Sequence, residues 1–185
     1  MTKRFIAAAA ALAALILPAA SQAELPQGAR APGFAARGAL AGRSFAFNLQ
    51  AALRRGPVVL YFYPKAFTQG CTLEAHAFAA ASDDFRAAGA TVIGLSADDL
   101  PTLQRFSTEA CRDKFAVVSA TRQIIQAYDV DLKKPDGTSS GLTSRTSYVI
   151  GRNGRVQMVY TNMNYAEHVR RTLEVVRSLK SAQRR

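Results

Sequence analysis

Two cysteines, Cys71 and Cys111, carry whatever thiol chemistry this 185-residue chain performs. Cys71 lies in "TQGCTLEAH" (68–76), where a short loop gives way to a helical stretch. A thiol in the first turn of a helix faces free backbone N–H groups and the positive end of the dipole. Both favour the thiolate and lower the pKa expected at that position. The thiolate is the nucleophile, so position argues for a reactive sulfur. Thr68 can bring a hydroxyl towards it, and Pro64 can shield the end of the preceding strand without leaving an N–H unpaired. The same residues admit a second reading, in which Cys71 is buried or disulfide-bonded for structure and Thr68 is an ordinary helix cap. The spacing is not that of a C-x-x-C dithiol exchanger, because position 74 is Glu. Cys71, His76, Cys111 and His168 have no metal-ligand spacing, so no zinc or haem site and no cofactor are expected.

The elements that must position Cys71 follow from the hydrophobic pattern. "PVVLYFYP" (57–64) is a continuous β-branched and aromatic run, as in a strand buried on both faces. An Ala-rich helical stretch runs from Gly70 to about Arg86 and ends at Gly89. "ATVIGLS" (90–96) and "FAVVS" (115–119) read as further buried strands, with the helix "LPTLQRFSTEAC" between them capped by Asp98 or Asp99. A helical segment near "RQIIQAY" follows. "RTSYVI" (145–150) and "RVQMVYT" (155–161) flank the hairpin signal "GRNG", and an amphipathic helix near 165–180 closes the chain. Upstream, "RSFAFNL" suits an edge strand after a Pro/Gly/Ala-rich lead-in, and 129–144 reads as an irregular, Gly/Ser-rich loop. This order describes one α/β domain with a mixed sheet and helices on both faces.

Residues 1–23 read as a secretory signal: "MTKR", then the apolar run "FIAAAAALAALILP", then "AASQA" with small residues at Ser21 and Ala23. Cleavage is expected after Ala23, which leaves residues 24–185 as the domain and a periplasmic or secreted location. The apolar run is shorter than the roughly 20 residues of a bilayer span. The leader holds two of the 24 basic residues and none of the 13 acidic ones, so its removal lowers the net charge from +11 to +9. The remaining basic residues are scattered. Arg170, Arg171 and Arg177 fall away from the stripe Val169, Leu173, Val176 and Leu179, as on a solvated helix face, so no nucleic-acid or membrane partner is expected.

Pro64, Thr68 and Cys71 together form P-x-x-x-T-x-x-C, and the string "VVLYFYPKAFTQGCTLEA" resembles the peroxiredoxins of the AhpC/TSA type. The nearest resemblance is to the subfamily called PrxQ or bacterioferritin comigratory protein. "APGF", "VIGLSADD" and "SRTSYVIGRNGRV" resemble the same subfamily in the same order. The resemblance implies a thioredoxin-like fold and a thiol-dependent peroxidase acting on hydrogen peroxide and organic hydroperoxides. It implies roles as well. Cys71 would be the peroxidatic cysteine that becomes a sulfenic acid, Thr68 the hydroxyl that orients the peroxide, and Pro64 the cover of the site. Arg145 would stabilise the thiolate and the transition state, and Glu74 would orient Arg145. It further implies a thioredoxin-like or glutaredoxin-like reductant, or a small thiol, and a monomer.

The match departs at His76, where many members of the subfamily carry a resolving cysteine; Gln69 and Phe67 replace a common Pro and an acidic residue. Cys111 stands where another branch keeps its resolving cysteine, which implies an intramolecular Cys71–Cys111 disulfide during turnover. The rival expectation is an exported thioredoxin-fold binding or chaperone domain in which Cys71 and Cys111 form a structural disulfide.

Overall fold

The computed structural model describes residues 24–182, so the leader expected over 1–23 lies outside the described residues. A seven-stranded mixed sheet organises the chain. Its strands are β1 (Ala35–Leu40), β2 (Arg43–Asn48), β3 (Val58–Phe62), β4 (Thr91–Ser96), β5 (Ala116–Ser119), β8 (Thr146–Ile150) and β9 (Val156–Thr161), in the order β2-β1-β5-β4-β3-β8-β9. The three central strands β3, β4 and β5 are parallel, and the flanking pairs are antiparallel. All five residues of β3 are buried.

Alternation along β3 divides the interior in two. Val59, Tyr61 and Tyr63 face one core, covered by α2 (Gln69–Ala80), α3 (Ser82–Ala87), α4 (Leu100–Glu109) and α6 (His168–Ala182). Val58, Leu60 and Phe62 face the other, covered by α1 (Leu49–Arg55) and α5 (Arg122–Ala127). Both cysteines belong to the first core. Tyr61 stacks on Phe78 of α2 with ring centroids 4.3 Å apart, and its ring lies over Gly94 on β4. A Cβ at Gly94 would sit 2.8 Å from that ring, which is why the strand carries Gly there.

The expected strands, the "GRNG" hairpin and the final helix are present, the last with Leu173 and Val176 buried. Arg170 and Arg177 lie on its outer face in ion pairs with Glu167, Glu174 and Asp84. Four local readings differ. Residues 35–38, the end of the stretch read as lead-in, belong to β1, where Gly38 approaches β5 so closely that a Cβ would meet the Val117 carbonyl at 2.4 Å. The strand expected through Leu49 stops at Asn48, whose side chain accepts from the Ala51 amide and starts α1. The helix expected over 70–86 divides at Ala81, where ψ of 2° leaves the helical region. The stretch 129–144 is not irregular: β6 (Asp131–Lys133) and β7 (Ser139–Thr143) pair across a turn at Gly137, and the Asp131 carboxylate accepts from Lys133 and Ser139.

Candidate active site

The first turn of α2 begins at the open end of β3. Thr72 N–H makes the first helical bond, to the Thr68 carbonyl at 2.9 Å, so the amides just before it have no partner within the helix. Cys71 stands in that turn, 1% exposed. The loop leading to it is fixed from β4. Asp98 accepts from the Ala66 amide at 2.8 Å and from Ser96 Oγ at 2.8 Å, while Asp99 caps α4. Of the two aspartates expected to cap that helix, one caps and the other ties down the cysteine loop. The Thr143 hydroxyl donates to the Tyr63 carbonyl at 2.7 Å, which pins the end of β7 beside the end of β3.

Arg145 enters at the start of β8 and is 4% exposed. Three of its nitrogens have separate partners. Nη2 lies 3.4 Å from Cys71 Sγ, Nη1 donates to Glu74 Oε2, and Nε donates to the Met163 carbonyl at 2.9 Å. The fixed fork of a guanidinium makes this possible in one geometry. Burial opposes the charge on Arg145, but Glu74 and Cys71 outweigh it and hold its pKa above the ordinary value. Glu74, one helical turn after Cys71, is completely buried. Burial pushes its carboxyl up to about 7 against the pull of Arg145, and its second oxygen, Oε1, has no hydrogen-bond partner. Arg145 and Glu74, which composition alone would place on the surface, are thus both core residues against the thiol.

The other expected residues fall as follows. Pro64 is half-buried, two residues beyond the end of β3 at Phe62. Thr68 occupies the helix-cap position, but its hydroxyl donates to the Lys65 carbonyl at 3.0 Å and caps nothing, so the reading of Thr68 as an ordinary side-chain cap does not hold. His76 is half-buried on α2. Cys111 lies two residues past the end of α4, completely buried, and burial, with Asp113 adding, pushes its thiol pKa well up. Both cysteines are free. They share one core with Tyr61, Tyr63, Phe78 and Phe106. Among the described residues no group of three His, Cys, Asp or Glu could hold a metal ion.

His168, which spacing gave no reason to select, also belongs here. Its Nδ1 lies 3.8 Å from Glu74 Oε1, and it is completely buried. A lone histidine beginning an amphipathic helix has no sequence signal that separates it from a surface residue.

Residues 27–159 match the AhpC/TSA family. Peroxiredoxin Q, chloroplastic, of Suaeda salsa is 36% identical over 66% of this chain, and that of Sedum lineare is 34% identical over 67%. These matches span 56% and 65% of the relatives' own lengths, less than two thirds in each case. The crystal structure of peroxidoxin BcpB from Mycobacterium tuberculosis superposes with a TM-score of 0.72 at 27% identity, over 83% of this chain and 97% of that one. Peroxiredoxin Q from Xanthomonas campestris superposes at 0.68, also at 27% identity, over 78% and 90%. The matched segment contains the whole constellation of Pro64, Thr68, Cys71, Glu74 and Arg145, on a sheet of the same architecture, and the chain belongs to the AhpC/TSA family.

Proposed function

We propose that this protein is a thiol-dependent peroxidase with Cys71 as its nucleophile. The observation that carries the reading is the 3.4 Å contact of Arg145 Nη2 with Cys71 Sγ, in a helix first turn whose amides are free. A buried cation beside a sulfur stabilises the thiolate and the charge that develops on oxygen as the O–O bond breaks.

Cys71 thiolate attacks the terminal oxygen of a hydroperoxide. The S–O bond forms, the O–O bond breaks, and the leaving oxygen takes a proton to depart as water or alcohol. Cys71 becomes a sulfenic acid. Thr68, exposed at the mouth of the site, orients the peroxide, and Pro64 covers the sulfur. The solved structure of a bacterioferritin comigratory protein from Xanthomonas campestris is described in terms of alkyl peroxide reduction, which supports organic hydroperoxides as substrates here.

Resolution runs through Cys111. Its sulfur attacks the Cys71 sulfenic sulfur, an S–S bond forms and water leaves. Both thiols are buried on separate elements, so the first turn of α2 and the turn after α4 open for this step. A thioredoxin-like or glutaredoxin-like dithiol, or a small thiol, then reduces the disulfide. We place the enzyme in the periplasm or outside the cell on the composition of residues 1–23, and we read it as a monomer.

The test is the intact mass of reduced protein after one equivalent of hydrogen peroxide, with peptide mapping. Loss of two hydrogens with Cys71 joined to Cys111 supports the whole reading. Oxygen gained at Cys71 alone keeps the peroxidase and makes the resolving thiol external. An unmodified protein beside unconsumed peroxide overturns it.

A further inference from the structure

His168 is completely buried where α6 begins, and the peroxide chemistry gives it no task. Both ring nitrogens are nevertheless bound. Nε2 lies 2.9 Å from the Asn162 carbonyl, which can only accept, so Nε2 carries the ring proton. Nδ1 lies 2.8 Å from Ser147 Oγ and accepts from it. Burial of the ring lowers its pKa to about 4, with Arg145 and Arg171 acting in the same direction, so the imidazole is neutral and its tautomer fixed.

The two bonds join segments that both bear on Arg145. Ser147 is on β8, two residues after Arg145 itself. Asn162 belongs to the link between β9 and the short 3-10 turn Tyr165–Glu167. That link returns to Arg145 twice, once at its backbone and once at its guanidinium: Asn162 N–H donates to the Arg145 carbonyl at 3.1 Å, and the Met163 carbonyl accepts from Arg145 Nε at 2.9 Å. The Met163 side chain is 53% exposed, so packing of that side chain does little to hold the link. The imidazole fastens the link to β8. A buried aliphatic side chain would fill the same space without the cost of desolvating two ring nitrogens, and it would fasten nothing.

Neither Ser147 nor Glu74 makes this ring a general base. Both face Nδ1, the lone pair there is taken by Ser147, and all three side chains are closed to solvent.

We propose that His168 is a positioning residue for Arg145. By tying Asn162 to Ser147 it sets the Met163 carbonyl, and with it the guanidinium, at the distance that reaches Cys71 Sγ. The proposal rests on the peroxidase reading only for the pairing of Arg145 with Cys71.

The test follows the thiolate absorbance of Cys71 against pH in a Cys111→Ser background, where a single thiol titrates, together with single-turnover reaction with hydrogen peroxide. Three substitutions are compared. His168→Gln returns an amide N–H to the Asn162 carbonyl. His168→Asn returns an acceptor to Ser147 and leaves Asn162 untied, and His168→Leu removes both bonds. Leu and Asn are expected to move the thiolate transition up by about one pH unit, a tenfold loss of thiolate below it. They should slow the peroxide reaction roughly 10- to 100-fold. Gln should recover most of both effects. An unmoved transition in Leu and Asn, equal losses in all three, or rescue by Asn and not by Gln would each overturn the proposal. If the Leu variant does not fold, the Gln and Asn pair still decides. Absence of peroxide consumption by the unsubstituted protein would remove the peroxidase reading, while the thiolate titration would still report on how Arg145 is placed.

Discussion

Glu74 Oε1 and His168 Nδ1 face one another at 3.8 Å inside the core, each on a group whose charged form the interior disfavours. Their effects on stability run in opposite directions. Glu74 is raised from an ordinary 4.5 to about 7, so the native state holds its proton more tightly. The stability it contributes is complete below about 4.5 and is lost as pH rises through 7. His168 is lowered from 6.5 to about 4, so its contribution is complete above 6.5 and is lost as pH falls through 4.

Between about 4.5 and 6.5 the two slopes oppose, and the unsubstituted protein should melt at nearly constant temperature there. His168→Gln should unmask the Glu74 slope, with stability falling as pH rises from 4.5 to 7. Glu74→Gln should unmask the reverse, with stability rising from pH 4 to 6.5. The groups facing this pair from the neighbouring elements are Arg145, Ser147, Tyr160, Asn162 and Arg171. Thermal melts across the range check both signs. Parallel curves for the two variants would show that neither group titrates as described.

Arg145→Lys keeps the positive charge and removes the fork. A single ammonium cannot reach Glu74, Cys71 and the Met163 carbonyl from one position. The rate of Cys71 oxidation by peroxide should fall about 100-fold, in the range of losing one oriented donor at a developing oxyanion. Stopped-flow peroxide reduction measures it, and a loss below threefold would mean that charge alone suffices.

Strands and long helices were legible because burial leaves a record in the sequence: "VVLYF" is apolar throughout since both faces of β3 are covered, and Gly89 ends α3 with φ of 79°. Strand β1 left no such record. Gly38 is a glycine because β5 lies close there, and an Ala- and Gly-rich stretch around it imitates a lead-in. Within the site, Cys71 and Thr68 declare themselves by spacing. Arg145 and Glu74 could be named only through the family resemblance, since nothing in a lone Arg and a lone Glu says that a fold will bury them against each other. His168 has neither kind of signal. Its role depends on which backbone carbonyl the link after β9 presents, a tertiary fact.

Thr68→Val tests whether the hydroxyl serves the peroxide or the helix. Thr68 Oγ1 donates to the Lys65 carbonyl and makes no capping bond, and the side chain is exposed. Its loss should cost about 0.5 kcal/mol or less of stability, far below a true cap. Peroxide reduction should slow about 100-fold, with Thr68→Ser close to the unsubstituted rate. Equal rates in Val and Ser would leave the hydroxyl without a catalytic part.

Phe67 is where the cysteine loop and the Cys111 helix meet. Its φ is 64°, a left-handed conformation that a bulky side chain adopts at a cost of roughly 1–2 kcal/mol. The ring is held there from α4: it meets Phe106 edge-on at 5.2 Å, and the Arg105 guanidinium lies 5.0 Å from its centre. Phe106 in turn stacks on Tyr63 at 5.3 Å, so the contact runs from the mouth of the site into the core that holds both thiols. If resolution through Cys111 opens the first turn of α2 and the end of α4, that opening breaks this contact. Phe67→Gly removes the ring and the backbone strain together, effects that offset each other in global stability but both favour a looser loop. The melting temperature should change by less than about 4 °C, while Cys71–Cys111 disulfide formation after a peroxide pulse, followed by acid quench and mass analysis, should accelerate several-fold. Phe67→Leu keeps an apolar contact and the strained φ, and should stay near the unsubstituted rate. If the Gly variant forms the disulfide no faster, opening is limited at the Cys111 end, and the ring holds the loop only in the reduced state.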